Sequence, residues 1–245
     1  MILDCQTNTS ALATLSAIVG IAPKRLCEHL AGFKGDDWPD DPPRYLWREI
    51  VGGDREFEGV YWFHLSRVLD PNAFRRLGIL PLNNMIDQIW LMLSELAGGD
   101  ISASDKAQLP SCINTGGHSG FLYKLKVDDR VHWGPYAMLV RDAALSPGEL
   151  MNHDYLETPE IVADICDCIN QRFGVDLLPR FCEASHACIV KFVGPPDRPD
   201  VLPIAMMYLW AMQHNAGLGS SSNTCFDGHG ERVRPNQIVD VEVDP

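Results

Sequence analysis

Between Ala11 and Phe33 the apolar residues Leu12, Leu15, Ile18, Val19, Leu26 and Leu30 recur mostly at helical spacing, broken at Gly20-Ile21-Ala22-Pro23. The spacing predicts two short helices joined by a tight turn, with Pro23 in the first turn of the second. The same string has the rhythm of a helix-turn-helix, with Ala17 small enough for close helix contact and Gly20 in the turn. A Pro- and Asp-rich break follows at 34–43, then a helix-like Arg44 to Val51 and a second break at Gly52-Gly53-Asp54. These breaks predict a boundary near residue 55, between a helical hairpin or helix-turn-helix-like unit (1–55) and a larger domain (56–245).

In the larger part, Val60-Tyr61-Trp62-Phe63 reads as a strand, and Asp70-Pro71-Asn72 opens a helix from about Pro71 to Leu77 that Gly78 closes. His64 and Arg67 fall between them, in what reads as an active loop. Asn83 to Leu96 is an amphipathic helix through Met85, Ile86, Ile89, Leu93 and Leu96. Gly98 to Gly120 is polar and reads as an exposed loop, long enough to act as a lid. Strands are expected at Phe121 to Val127 and Tyr136 to Arg141, and a helix from Pro159 to Phe173 with Ile161, Ile165, Cys168 and Ile169 on one face. Ala187 to Val193 reads as a buried strand, Val201 to Ala216 as an apolar helix, and Thr224 to Phe226 and Ile238 to Val243 as closing strands. Helices and strands mix without regular βαβ alternation, so the fold class is α+β.

Composition narrows the partners. The 245 residues, 46% of them hydrophobic, can bury one core and a small appended unit. With 33 Asp and Glu against 20 Lys and Arg, the formal charge is -13, which opposes a non-specific grip on phosphate backbones or anionic membranes. Only Lys24 and Arg25 stand where a second DNA-reading helix would begin. Met1 to Gln6 lacks the basic and apolar regions of an export signal, and no stretch has the roughly 18 apolar residues of a membrane span. The expectation is a cytoplasmic protein without membrane contact, its 8 cysteines reduced. Cys166-Asp167-Cys168 and Cys182 to Cys188 lack the paired spacing of zinc knuckles, so no metal is assigned.

The segment Tyr61-Trp62-Phe63-His64-Leu65-Ser66-Arg67, with Phe74 and Gly78-Ile79-Leu80-Pro81-Leu82 after it, resembles the opening motif of the ADP-ribosyltransferase superfamily. That motif is a strand ending in His-x-Thr/Ser, a short helix and a Gly-hydrophobic-x-Pro exit. The resemblance covers about twenty residues. It implies a mixed, split β-sheet core and NAD as the substrate, held by His64 and Ser66, with Arg67 on its pyrophosphate, a contact that suits guanidinium geometry. Taken alone, His64 reads as a strand-end histidine bonded to a neighbouring carbonyl, and Arg67 as the partner of Asp70. Ser222 to Asp227 and Arg234 to Val243 resemble the family's closing strands. There the family's Glu stabilises an oxocarbenium-like ribose; here the aligned residue is Asn223, and Asp227 or Glu231 would have to supply the charge.

His132-Trp133-Gly134-Pro135-Tyr136 offers aromatic rings for stacking on a nicotinamide or base, and the resemblance makes Tyr136 the stacking tyrosine; the other reading has Trp133 and Tyr136 covering the core edge. Asn152-His153-Asp154-Tyr155-Leu156 gathers donors and acceptors on a loop, making His153 and Asp154 second-rank candidates, with Thr158 as the cap of the next helix. Two functions follow. One is an NAD-using enzyme, in a toxin or defence setting, that transfers ADP-ribose to a protein or nucleic-acid acceptor or hydrolyses NAD. The other is a non-catalytic, regulatory module that binds a small-molecule nucleotide or a protein.

Overall fold

The computed structural model describes residues 1–35, 38–196 and 198–245. Asp36 and Asp37, part of the expected break, lie outside the described residues. Ile2–Leu3 forms a short strand, β1. The Thr7 hydroxyl accepts from Ser10 N, and Ser10 Oγ accepts from Thr7 N, so a reciprocal cap starts α1 (Asn8–Val19). Gly20 ends it at φ 73°, and the chain bends by 101° into α2 (Pro23–Ala31), which opens on a proline that has no amide to leave unpaired. Asp41 accepts from Arg44 N to cap α3 (Pro42–Ile50). There follow β2 (Gly59–Val68), α4 (Ala73–Leu77), α5 (Leu82–Leu96), α6 (Ala103–Lys106), α7 (Gly117–Asp128) and β3 (Tyr136–Met138). The remainder is α8 (Pro147–Leu150), α9 (Glu160–Phe173), α10 (Leu178–Ala184), β4 (His186–Gly194), α11 (Val201–His214), β5 (Cys225–Asp227) and β6 (Ile238–Val243).

The class is α+β. The strands form one sheet in the order β5-β3-β2-β4-β6, with β1 added to β2. β1 runs parallel to β2, Leu3 facing Val60, and β3 runs antiparallel to it, Phe63 facing Met138. Among the described residues no single helix is long and apolar enough to cross a membrane.

The chain divides into two compact units, the first made of Met1–His64, Ala137–His153 and Lys191–Phe226, the second of Leu65–Tyr136, Asp154–Val190 and Asp227–Pro245. β2 and β4 each give residues to both. In the first unit α11 is the centre: every residue from Val201 to Ala211 is buried, which suits a helix apolar on all faces. Helices α1, α2 and α3 pack on it, and Trp210 donates Nε1–H to Phe33 O at 2.9 Å while Trp38 meets its ring edge-on at 4.8 Å. Residues 1–55 therefore share their core with α11, because each short helix carries one apolar stripe that needs a surface to cover it. Lys191, buried on β4, ties in the N-terminus: its ammonium reaches Asp4 Oδ2 at 2.8 Å and Gln6 Oε1 at 2.7 Å and lies 4.2 Å from the Tyr61 ring centroid.

The second unit holds the departures from expectation. Residues 98–120 are not an exposed loop: Ile101, Leu109, Cys112 and Ile113 are buried with Leu93 of α5 and Ile165, Cys168 and Ile169 of α9. Residues 121–127 are helical, not a strand. The alternation Phe121, Tyr123, Leu125, Val127 mimics a strand, but on a helix it separates into two faces: Tyr123 and Val127 pack on the core, while Phe121 and Leu125 are exposed. Gly120 permits the close approach, since a Cβ there would come within 2.2 Å of Ile113 O.

Candidate functional site

β2 does not end before His64; it runs on through Val68, so His64, Ser66 and Arg67 are strand residues rather than loop residues. Side chains on a strand alternate, which places His64 and Ser66 on the face of Trp62, and Arg67 on the opposite face with Phe63 and Leu65. His64 and Ser66 are both half-buried. Trp62 is buried, 5.7 Å from the Phe226 ring, and its Nε1 has no hydrogen-bond partner among the described residues.

On the other face Arg67 is enclosed. Its Nε donates to Ser185 Oγ at 2.8 Å, Nη1 to Leu156 O at 3.1 Å, and Nη2 to Cys182 O at 2.5 Å and Ser185 O at 3.0 Å. The guanidinium thus satisfies the Cys182 and Ser185 carbonyls at the end of α10 and the Leu156 carbonyl on the loop before α9, and Ser185, itself buried, helps to order the end of α10 by donating to Phe181 O. Asp70 is not the partner of Arg67; it accepts from Arg76 at 2.7 Å, and that contact holds its carboxyl below the usual carboxylate range. The cage was not legible in the sequence, because Ser185 stands 118 positions away and the acceptors are mostly backbone.

Asp154 belongs to the same arrangement. Its Oδ1 accepts from Leu156 N and Glu157 N, both at 3.0 Å, shaping the turn whose Leu156 carbonyl meets Arg67. His153 beside it is exposed. Thr158 does not cap α9: Pro159 holds the cap position without a side-chain bond, and the Thr158 hydroxyl lies 3.6 Å from Cys182 Sγ.

Tyr136 opens β3, the strand paired to β2, and its hydroxyl donates to Val131 O. Burial, then the carboxylates of Asp227 and Asp129, raise its phenol, so it stays protonated. Trp133 donates its indole N–H to Val127 O at 2.9 Å, which fixes the ring on the end of α7. Asn223 reaches the exit of β3, where its Oδ1 accepts from Val140 N at 3.1 Å while Thr224 O accepts from Leu139 N at 2.9 Å. Of the two alternative carboxylates, Asp227 holds His229 at 3.1 Å and Glu231 faces Arg130 at 3.8 Å.

After α4 the chain turns sharply at Gly78. Gly78 adopts φ 75°, and a Cβ there would fall 2.0 Å from Val233 O. Ile79 and Val233 exchange both backbone hydrogen bonds at 3.0 Å. The residues on either side of Val233 also line an open cavity in the second unit, among them Arg232, Arg234, Asn236 and Gln237, together with Pro81 and Asn84 at the start of α5. Sequence reasoning passed over Arg232, although an arginine on either side of a buried valine is a readable signal in extended chain.

Among the described residues no group of three His, Cys, Asp or Glu side chains gathers closely enough to hold a metal ion. Cys166 is buried on α9, and desolvation pushes its thiol up to about 12. Comparison of the chain with protein-family models, with curated proteins and with solved structures gives no match.

Proposed function

We propose that the chain is an ADP-ribosyltransferase-like protein that binds NAD through the His64 and Ser66 face of β2 and transfers ADP-ribose to a macromolecular target or hydrolyses NAD. One observation carries the reading: the strand bearing His64-Leu65-Ser66 is followed by a short helix and by a Gly78-Ile79 exit whose glycine takes a backbone conformation no other residue adopts freely. This order of elements is the one the resemblance calls for. His64 and Ser66 share a face and supply a ring nitrogen and a hydroxyl to a ribose or a carboxamide. Arg67 has no part in it, since its donors face carbonyls of its own unit.

Asn223 favours a second reading, in which the same face binds a nucleotide without turning it over. Its oxygen is engaged by Val140 N–H, and an amide brings no charge to an oxocarbenium-like centre. Incubation with NAD labelled in the nicotinamide ring separates the two. Release that stops in His64→Ala supports the enzyme; NAD-induced thermal stabilisation without release supports the binding module. Neither release nor stabilisation rules out both.

A further inference from the structure

We infer that the cavity between the start of α5 and residues 230–237 is a binding site for a phosphorylated, hydroxyl-rich small molecule such as a sugar phosphate. The backbone makes the site. Val233 is buried and paired with Ile79, so Arg232 and Arg234, flanking it in extended chain, turn to the opposite side together. Both are exposed, and neither guanidinium makes a hydrogen bond or ion pair with the described residues. Two exposed guanidinium groups that line one cavity and give no donor to the described residues leave those donors available to an anion. Arg67 and Lys191, which are withdrawn from solvent, have their partners inside the protein instead.

The start of α5 adds to the attraction. α5 has no side-chain cap at Pro81 and no acidic residue in its first turn; Trp133 O takes its Leu82 N–H at 2.9 Å, and the rest of this positive helix end adjoins the lining of the cavity. Glu231 is the one carboxylate in the lining, and it faces Arg130, which also holds His229 O through Nε and Nη2. The cavity measures about 770 Å³, within the range of small-molecule sites. Its lining is polar: the amides of Asn84 and Asn236 suit hydroxyl groups, and no aromatic ring lines it for a base to stack on. Paired guanidinium groups bind a phosphate monoester in a fork that lysine cannot reproduce. The lining includes neither His64 nor Ser66, and the inference does not rest on the NAD reading.

The test is calorimetric titration of the full chain with glucose 6-phosphate, inorganic phosphate and glucose at fixed ionic strength. It uses the wild type, Arg232→Gln/Arg234→Gln, and the charge-matched control Lys24→Gln/Arg25→Gln on α2. Saturable binding of glucose 6-phosphate, tighter than that of inorganic phosphate, is expected, and the arginine double variant should weaken it at least about tenfold. The control should stay within about twofold, because it removes the same formal charge without changing any residue that lines the cavity. Four outcomes overturn the inference: no saturable binding of glucose 6-phosphate, equal affinity in the arginine variant, equal weakening in the control, or inorganic phosphate binding as tightly. Circular dichroism shows whether the variants are folded, and Arg234→Lys, which keeps charge but loses the fork, should fall between wild type and the double variant.

Discussion

Arg67 and the pair Arg232 and Arg234 belong to the same unit and carry the same group, yet the fold treats them in opposite ways. Arg67 sits at the end of a motif-like strand and gives its donors to Ser185, Cys182 and Leu156. Arg232 and Arg234 flank Val233 where the closing segment begins, line a cavity and give no side-chain donor to the described residues. A charged residue inside a suggestive sequence can therefore be the framework of a site, while the group available to a ligand is found by asking which donors have no partner in the folded chain. The same question separates Ser66 from Arg67, next to each other in sequence but on opposite faces of β2.

The largest expected effect falls on the turn at Gly78, whose close contact with Val233 holds the segment that bears Arg232 and Arg234. Gly78→Ala puts a methyl group into the Val233 carbonyl and forces a non-glycine residue to φ 75°, so the unit should lose more than about 3 kcal/mol in chemical denaturation. Arg67→Met comes next. It leaves three inward-facing carbonyls without a donor, and should cost about 3 kcal/mol, with the loss of amide protection centred on residues 154–158 and 182–185. Arg232→Gln and Arg234→Gln should each change stability by less than about 0.5 kcal/mol, since no internal contact is lost. Equal costs at Arg67 and Arg234 would break the comparison.

The smallest effect is one of pH. Arg76 depresses the Asp70 carboxyl, so the contribution of that pair is present above the ordinary carboxylate value and is lost as pH falls through the lowered one. Carboxyl NMR titration should show Asp70 returning to the ordinary range in Arg76→Gln and unmoved in Arg67→Met. A response to Arg67→Met alone would restore the surface pair that the sequence suggested.

Helices with one clear apolar face were readable. Ile161, Ile165, Cys168 and Ile169 mark α9, and the unbroken apolar run from Val201 marks α11 as a core element. α7 was not, because aromatic and aliphatic residues at every second position have strand period, and only the neighbouring helices decide which face is inside. The 98–120 segment misled for a related reason: its few apolar residues are scattered among Ser, Asp and Gly, yet four of them reach the core. For the site, the strand, short helix and Gly78 exit were legible because each has local chemistry. The cage of Arg67 and the cavity beside Arg234 were not, since both depend on residues joined only by the fold.

The most direct measurement of the central claim is the thermal shift of the wild type and of His64→Ala and Ser66→Ala with NAD, read beside Arg67→Lys as a control for the framework. NAD should stabilise the wild type, either substitution on the His64 face should abolish the shift, and Arg67→Lys should lower the melting temperature but leave the shift. No shift in the wild type, or a shift that survives in both His64→Ala and Ser66→Ala, contradicts that claim.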